Sequence, residues 1–214
     1  MSLRPAPLSL RTVLASAGIA FAVALFGPPR RVHADADVYR FDPVHSQVWF
    51  AADHQRFSKP QGRLRIKDGW FRFDPADWTS ARVDVVIDLA SVDLGEPKWN
   101  AMVASGQFLD AARWPTARYV STTIEPRDAT HARVHGELDF RGVKKPLDLD
   151  VTFNRVGTDP YAFKRKAGFS ASATLDRLMF GMDRYKDVVA AAVELRFEIE
   201  GIRDRDAADQ SGDP

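Results

Sequence analysis

Residues 130–155 read THARVHGELDFRGVKKPLDLDVTFNR, and this stretch decides the fold. Ala132, Val134, Gly136, Leu138 and Phe140 fall on one face of the first run, and His131, Arg133, His135, Glu137 and Asp139 on the other. In the second run Leu147, Leu149, Val151 and Phe153 alternate with Asp148, Asp150, Thr152 and Asn154. A period of two with a single apolar face is the mark of antiparallel strands that are dry on one side and wet on the other. The RGVKKP segment between them predicts a tight turn at Gly142, with Pro146 stopping pairing at the start of the second strand.

The same alternation recurs on both sides of this hairpin. Upstream, residues 38–54 predict a short strand broken at Asp42-Pro43 and a longer one with Val48, Phe50 and Ala52 on one face. Leu64 and Ile66 continue the pattern, Asp68-Gly69 predicts a turn, and Phe71 and Phe73 resume it. Residues 81–93 place Val83, Val85, Ile87 and Leu89 on one side. At Gly95 the period changes. In EPKWNAMVASG, Pro97 suits a first helical position, Gly106 suits a C-terminal cap, and Trp99, Met102 and Val103 form one stripe. This is a short helix inside a long connection, followed by a turn region carrying Phe108 and Trp114. Downstream come a strand around Phe169, a loop centred on Gly181, and a closing strand with Val189, Ala191, Val193, Leu195, Phe197 and Ile199 on one face. The expected fold is therefore mainly β: an antiparallel sheet of about eight strands, curled with its dry face inward, with one short helix in a long connection. A sandwich and a closed barrel both fit, and the barrel is the favoured reading, because about eight strands closed on themselves leave room for one ligand and remove exposed edges.

The ends of the chain differ from its middle. Arg4 and Arg11 precede an apolar run over residues 13–26 that is too short to span a bilayer comfortably, and Val32-His33-Ala34 fits a small-x-small cleavage pattern. Residues 1–34 are expected to be a signal peptide cut after Ala34, residues 35–202 the folded domain, and residues 203–214 a disordered polar tail. The leader takes four of the 30 basic residues and no acids, so 26 basic residues remain against 29 acidic ones, a net charge of −3. A slightly acidic surface offers nucleic acid no general attraction. The absence of cysteine excludes disulfides, a thiol nucleophile, thiolate metal sites and a lipidated cysteine anchor. The expected location is the periplasm.

Little in the sequence points to catalysis or metal binding. His45 and His54, near Asp42 and Asp53, are the strongest candidates, but their odd spacing places them on opposite faces of a regular strand. His45 is expected to bond backbone at the Asp-Pro turn, and His54 to end a strand. His131 and His135 share a face about 13 Å apart, too far for one ion. Ser46, Ser91 and Ser121 lack a nucleophile-elbow pattern, and no glycine-rich phosphate loop is present. No catalytic residue, metal or cofactor is therefore expected. The basic cluster Lys164-Arg165-Lys166 could hold a phosphate or a membrane head group, and the favoured reading is solvated loop charge. The inward side chains could pack on one another as a filled core or line a cavity. Small residues at inward positions, Ala52, Ala132, Gly136, Ala171, Ala173 and Ala191, would leave volume unfilled.

An ordered set of short stretches carries a resemblance. Asp42-Pro43-Val44-His45-Ser46 is followed by Gly62, Ser91-Val92-Asp93 and Gly106-Gln107-Phe108-Leu109-Asp110. Trp114-Pro115, Ser121-Thr122, the hairpin Gly136–Pro146, Arg177 and Phe180-Gly181-Met182 complete it. This set resembles the YceI-like family, exported lipocalin-like barrels that bind polyisoprenoid or other long amphiphilic lipids. The chain departs from the family in having Lys98-Trp99-Asn100 where an Arg-Asp pair is frequent. It also has Leu178-Met179 where an acidic residue often precedes Phe-Gly. The resemblance implies that the inward residues line a lipid tunnel: Phe50, Phe73, Val85, Ile87, Leu138, Phe140, Leu149, Val151, Phe169, Val193 and Leu195. Trp99, Met102, Val103, Phe108 and Trp114 would cap it, and Arg177 beside Phe180 would meet the head group. The implied partner is a hydrophobic lipid, with transient contact with a membrane surface. A free strand edge at the barrel seam could also pair two copies of the chain. An enzyme of isoprenoid or quinone metabolism on the same barrel, and a filled-core structural module, are the alternatives.

Overall fold

The computed structural model describes residues 36–207. They form nine antiparallel strands: β1 (Asp37–Phe41), β2 (Gln47–His54), β3 (Gln61–Phe73), β4 (Arg82–Asp93), β5 (Thr116–Pro126), β6 (His131–Phe140), β7 (Val143–Thr158), β8 (Arg165–Asp176) and β9 (Val189–Arg203). Helix α1 (Pro97–Ala104) lies in the connection from β4 to β5. From β2 to β9 each strand pairs with the next in chain order, and β9 returns to β2, which closes the barrel. The seam sets Val48 against Phe197, Phe50 against Leu195 and Ala52 against Val193.

β1 occupies the same place in the wall as β2, end to end, because it too pairs with β3 on one side and β9 on the other. Nine strands thus make eight positions. The break falls at Asp42-Pro43, where proline has no N–H to give to a ladder. The Glu200 carbonyl spans the gap, accepting from the Asp42 N–H (2.8 Å) and from Ser46 Oγ (2.9 Å). Beside it the Lys166 ammonium meets three carboxylates, Glu200 at 3.0 Å and Asp42 and Asp159 at 3.3 Å each. Lys166, expected as solvated loop charge, is in fact a largely buried tie between β8, β9 and the β1–β2 break.

Several local expectations are corrected. Asp68-Gly69 is not a turn: β3 runs through it as a bulge against β4. The hairpin turn is Arg141-Gly142 alone, both residues having positive φ, and β7 begins at Val143. Pro146 lies inside β7, opposite Glu137. It is tolerated there because β7 pairs with β8 only from Asp150 onward. The helix ends at Ser105 rather than at Gly106, with the Ser105 N–H donating to the Met102 carbonyl. β9 extends to Arg203, and the Asp204 carboxylate accepts from Arg40 Nε (3.1 Å) and from the N–H groups of Asp206 and Ala207, so residues 203–207 are ordered. The expected signal peptide and residues 208–214 lie outside the described residues.

The outer wall is polar and laced with cross-strand ion pairs, such as Arg118 with Asp84 and Arg133 with Asp150. Exposed pairs of this kind are worth only a few tenths to about 1 kcal/mol each. Burial of the inner face supplies the main driving force. At one end of the barrel that face is packed solid. Phe73 sits at the centre of an aromatic cluster, 4.9 Å from Phe169, 5.0 Å from Phe153 and 5.1 Å from Trp78 between ring centroids. Tyr39 stacks on Phe71 at 5.1 Å beside it. Trp78 comes from a short 3-10 turn, Trp78–Ser80, capped by the Asp77 carboxylate. We refer to this end as the floor. The opposite end, where β2 finishes at His54 and β4 at Asp93, carries α1.

Candidate ligand-binding site

Above the floor the barrel is hollow. The cavity measures about 540 Å3, within the range of sites that enclose a small organic ligand. Its wall is built by the alternation read from the sequence. Phe50, Val85, Ile87, Leu138, Leu149, Val151, Val193 and Leu195 all face it, and Phe73 and Phe169 form its lower boundary. Several of these side chains, including Phe50, Leu149, Val193 and Leu195, are only partly buried although they point inward. No neighbour fills the space in front of them.

Two glycines show how the wall admits large rings. A Cβ on Gly136 would sit 2.4 Å from the Tyr119 ring and 2.6 Å from the Val120 carbonyl oxygen. Gly136 therefore does not leave empty volume, as expected from its size; Tyr119 takes that volume. The Tyr119 hydroxyl donates to the Leu147 carbonyl (3.1 Å), and burial pushes its pKa up. Tyr119 thus shows the cavity its ring and keeps its proton. Likewise a Cβ on Gly62 would meet the Phe50 ring at 2.3 Å.

The lid end is closed by α1 and two loops. The Glu96 carboxylate caps the helix by accepting the Trp99 N–H at 2.9 Å, and Pro97 opens it. No residue of the helix is fully buried. Trp99 and Met102 border the cavity yet stay 51% and 42% exposed, so the helix is an apolar cover over a void rather than part of a packed core. Val103, Phe108, Tyr185 and His54 complete the rim, and Phe108 stacks on Tyr185 at 6.0 Å.

Three expected site residues are placed differently. Arg177 is 2% exposed, and its guanidinium is committed to the chain itself. It donates to the carbonyls of Ala190 (2.9 Å), Val189 (2.7 Å), Arg184 (3.0 Å) and Met182, and it lies over the Phe108 ring. Burial lowers its pKa, and the charges of Asp176 and Asp183 oppose that shift. It borders the cavity as the clamp of the 176–188 loop, not as a head-group ligand reaching out. Trp114 lies outside, packed against the Gly142 turn with Arg113 over its ring. Phe180 is buried behind Phe140 at 5.4 Å and does not reach the cavity. The sequence reading left out Val48, Leu64, Ile66, Phe71, Phe197 and Ile199 as site residues, although they follow the same alternation and line the same void.

Polar groups are few in the wall. It contains no carboxylate, no serine or threonine hydroxyl and no lysine; its polar members are His54, Arg72, Arg82, Arg177 and the two tyrosines. The His45 ring, expected to bond backbone, bonds a side chain instead. Its Nδ1 meets the Asp42 carboxylate at 2.9 Å. Asp42, His45 and Glu200 lie close enough to share an ion, but the Lys166 ammonium already supplies the positive charge there. His131 and His135 point outward, each held by a carboxylate, Asp128 and Asp148 respectively.

Comparison with known proteins gives concordant matches. A sequence profile described as the YceI-like domain matches residues 39–201. A "UPF0312 protein" of Pseudomonas savastanoi is 30% identical over 187 residues, covering 87% of this chain and 96% of its own. Among solved structures, BcnA of Burkholderia cenocepacia superposes with a TM-score of 0.66 at 24% identity, covering 75% of this chain and 98% of its own. A polyisoprenoid binding domain from Saccharophagus degradans, implicated in plant cell wall breakdown, superposes with a TM-score of 0.58 at 15% identity, covering 78% and 98%.

Proposed function

The chain belongs to the YceI-like family, and from that premise we propose that it binds a long isoprenoid-type lipid inside its barrel, in the periplasm, for sequestration or transport. The observation that carries this reading is the hollow interior: about 540 Å3, walled by aliphatic and aromatic side chains, floored by an aromatic cluster and covered by an apolar helix. A solved neighbour described as a polyisoprenoid binding domain supports the choice of ligand class.

Burying several hundred Å2 of hydrocarbon is worth on the order of 10 kcal/mol before association and ordering costs. The tail goes inward because the wall is overwhelmingly aliphatic and aromatic and offers water few hydrogen-bonding partners. The head group stays at the lid end, beside His54 and Tyr185. With the Arg177 donors turned onto loop carbonyls, a quinone suits that rim better than a prenyl phosphate. The enzyme alternative would need converging acid, base or nucleophile groups, and the wall gives it no support. A filled-core module is at odds with the void. Each ring strand is paired on both sides over part of its length, and the stretch of β7 before Asp150, which β8 does not pair, is the edge a homodimer would use.

Two substitutions test the tunnel. Ile87→Trp and Leu149→Trp each put an indole into the void. Native mass spectrometry of wild-type protein purified from its host should show a mass increment that extracts as a prenyl lipid. Both variants should stay folded and lose the increment. A bare wild-type mass with no uptake of added prenyl quinone, or undiminished uptake in both variants, would overturn the proposal.

A further inference from the structure

Six large apolar side chains at the lid end face solvent: Phe57 (85% exposed), Trp99, Met102, Leu178, Met179 and Tyr185. They come from three separate connections: the turn after β2, helix α1, and the loop between β8 and β9. Those connections are stitched together. The Gln55 N–H donates to the Val188 carbonyl at 3.0 Å, joining the first turn to the third segment. Arg141 at the neighbouring hairpin turn donates to the carbonyls of Phe180 and Phe108, joining the loop to the segment that follows the helix. Phe108 then stacks on Tyr185.

Exposing this much apolar surface is unfavourable in water, and contiguous exposed patches mark contact sites. The turn that presents Phe57 adds a second cost. Gln55 and Arg56 both hold positive φ, 53° and 62°, a conformation that disfavours residues with a Cβ. Hydrogen bonds hold it in place. The Asp53 carboxylate accepts the Arg56 N–H at 2.8 Å, and the His54 carbonyl accepts the Phe57 N–H at 3.0 Å. Phe57 is therefore held outward by a built turn.

The patch is also continuous with the interior. Trp99, Met102 and Tyr185 each have one side on the cavity and another in solvent. Tryptophan and tyrosine are the residue types that settle at a bilayer's interface. Basic side chains border the patch, with Arg56 beside Phe57, Lys98 beside Trp99, and Arg184 and Lys186 on either side of Tyr185, interleaved with the acids Glu96, Asp183 and Asp187. Cationic groups around apolar anchors favour a surface with anionic head groups.

We propose that the lid end docks onto a lipid bilayer, with Phe57, Trp99, Met102, Leu178, Met179 and Tyr185 entering the head-group region so that the cavity mouth opens into the membrane. The proposal rests on the lipid-binding reading, because a ligand that dissolves in membrane and not in water gives such a mouth its use. Docked in this way, the barrel takes up a hydrocarbon chain without exposing it to water.

The opposite end supplies a built-in control. It too exposes apolar side chains, Tyr161 and Phe163 in the β7–β8 turn, but neither touches the cavity. Flotation with vesicles of phosphatidylethanolamine and phosphatidylglycerol at physiological ionic strength compares the two ends. Wild-type protein should float with the vesicles. A Phe57→Ser/Leu178→Ser/Met179→Ser variant, altered only at side chains outside the cavity wall, should lose at least tenfold in partitioning. Tyr161→Ser/Phe163→Ser should float as wild type does. Binding of farnesol added in bulk solution separates this proposal from the one it rests on, because the lid-end variant should bind it unchanged. Failure of wild-type protein to float, or equal loss in both variants, would overturn the docking surface; failure to bind farnesol would count instead against the tunnel.

Discussion

Asp42 shows how much one side chain contributes at the break in the barrel wall. Burial alone would raise its pKa. Hydrogen bonds from the His45 ring, the Val44 N–H, Lys166 and the His45 N–H outweigh burial and hold it at about 2. A carboxylate held below its ordinary value of 3.8 stabilises the fold at any pH above that value. The stabilisation is lost as pH falls from about 4 through about 2, and it amounts to about 2 kcal/mol. Urea unfolding followed across this range should show wild-type stability dropping by that amount relative to Asp42→Asn, which has no charge to lose. Parallel curves for the two proteins would remove Asp42 from the account. Residues of this kind were only half legible in the sequence. Asp42-Pro43 reads as a break, because proline cannot donate. Nothing in the sequence places Lys166 against three carboxylates, since two of them, Asp42 and Glu200, lie far from it in the chain. Arg177 was misread for the same reason. An arginine in a loop is exposed by default, and only the folded 176–188 loop turns four carbonyls toward its guanidinium.

Among the elements, the strands were the most legible. Period-two alternation is local, and one dry face is enough to assign what points inward. Asp68-Gly69 misled because a dipeptide that suits a turn also suits a bulge, and only pairing with β4 decides between them. The void was not legible: whether inward side chains meet or leave a gap depends on how many strands close the ring. The resemblance places Trp114 and Phe180 at the mouth, yet each is held on the far side of a connection from it. The floor is an element with a specificity consequence of its own. Phe73 and Trp78 meet edge to face at the bottom of the cavity, so they set how deep a tail can run. Trp78→Ala should extend the void into the space of the indole, at a cost in stability of about 3–5 kcal/mol. In competition among prenyl quinones of graded length, it should shift preference toward longer tails. An unchanged length preference would place the limit elsewhere.

At the scale of the whole molecule, the hollow ties stability to occupancy. A ligand that binds only the folded barrel stabilises it by about 2.7 kcal/mol at a hundred times its Kd. For a domain of this size each kcal/mol moves Tm by roughly 2–4 °C, so saturating lipid should raise Tm by roughly 5–11 °C. Calorimetry of delipidated and reloaded protein measures this directly, and the same Tm with and without lipid would argue that the void is not the binding site. The seam has a consequence in time as well as in space. Seven of the eight joints in the wall link strands that follow one another along the chain, and each can form as soon as its second strand is available. The eighth, β2 with β9, links nearly the first described residues to nearly the last. Such non-local closure is slow, and until it happens the chain is an open trough with two unpaired edges and its whole apolar face in water. Any event that stalls synthesis or removes the final strand therefore yields not a slightly weakened barrel but an aggregation-prone sheet.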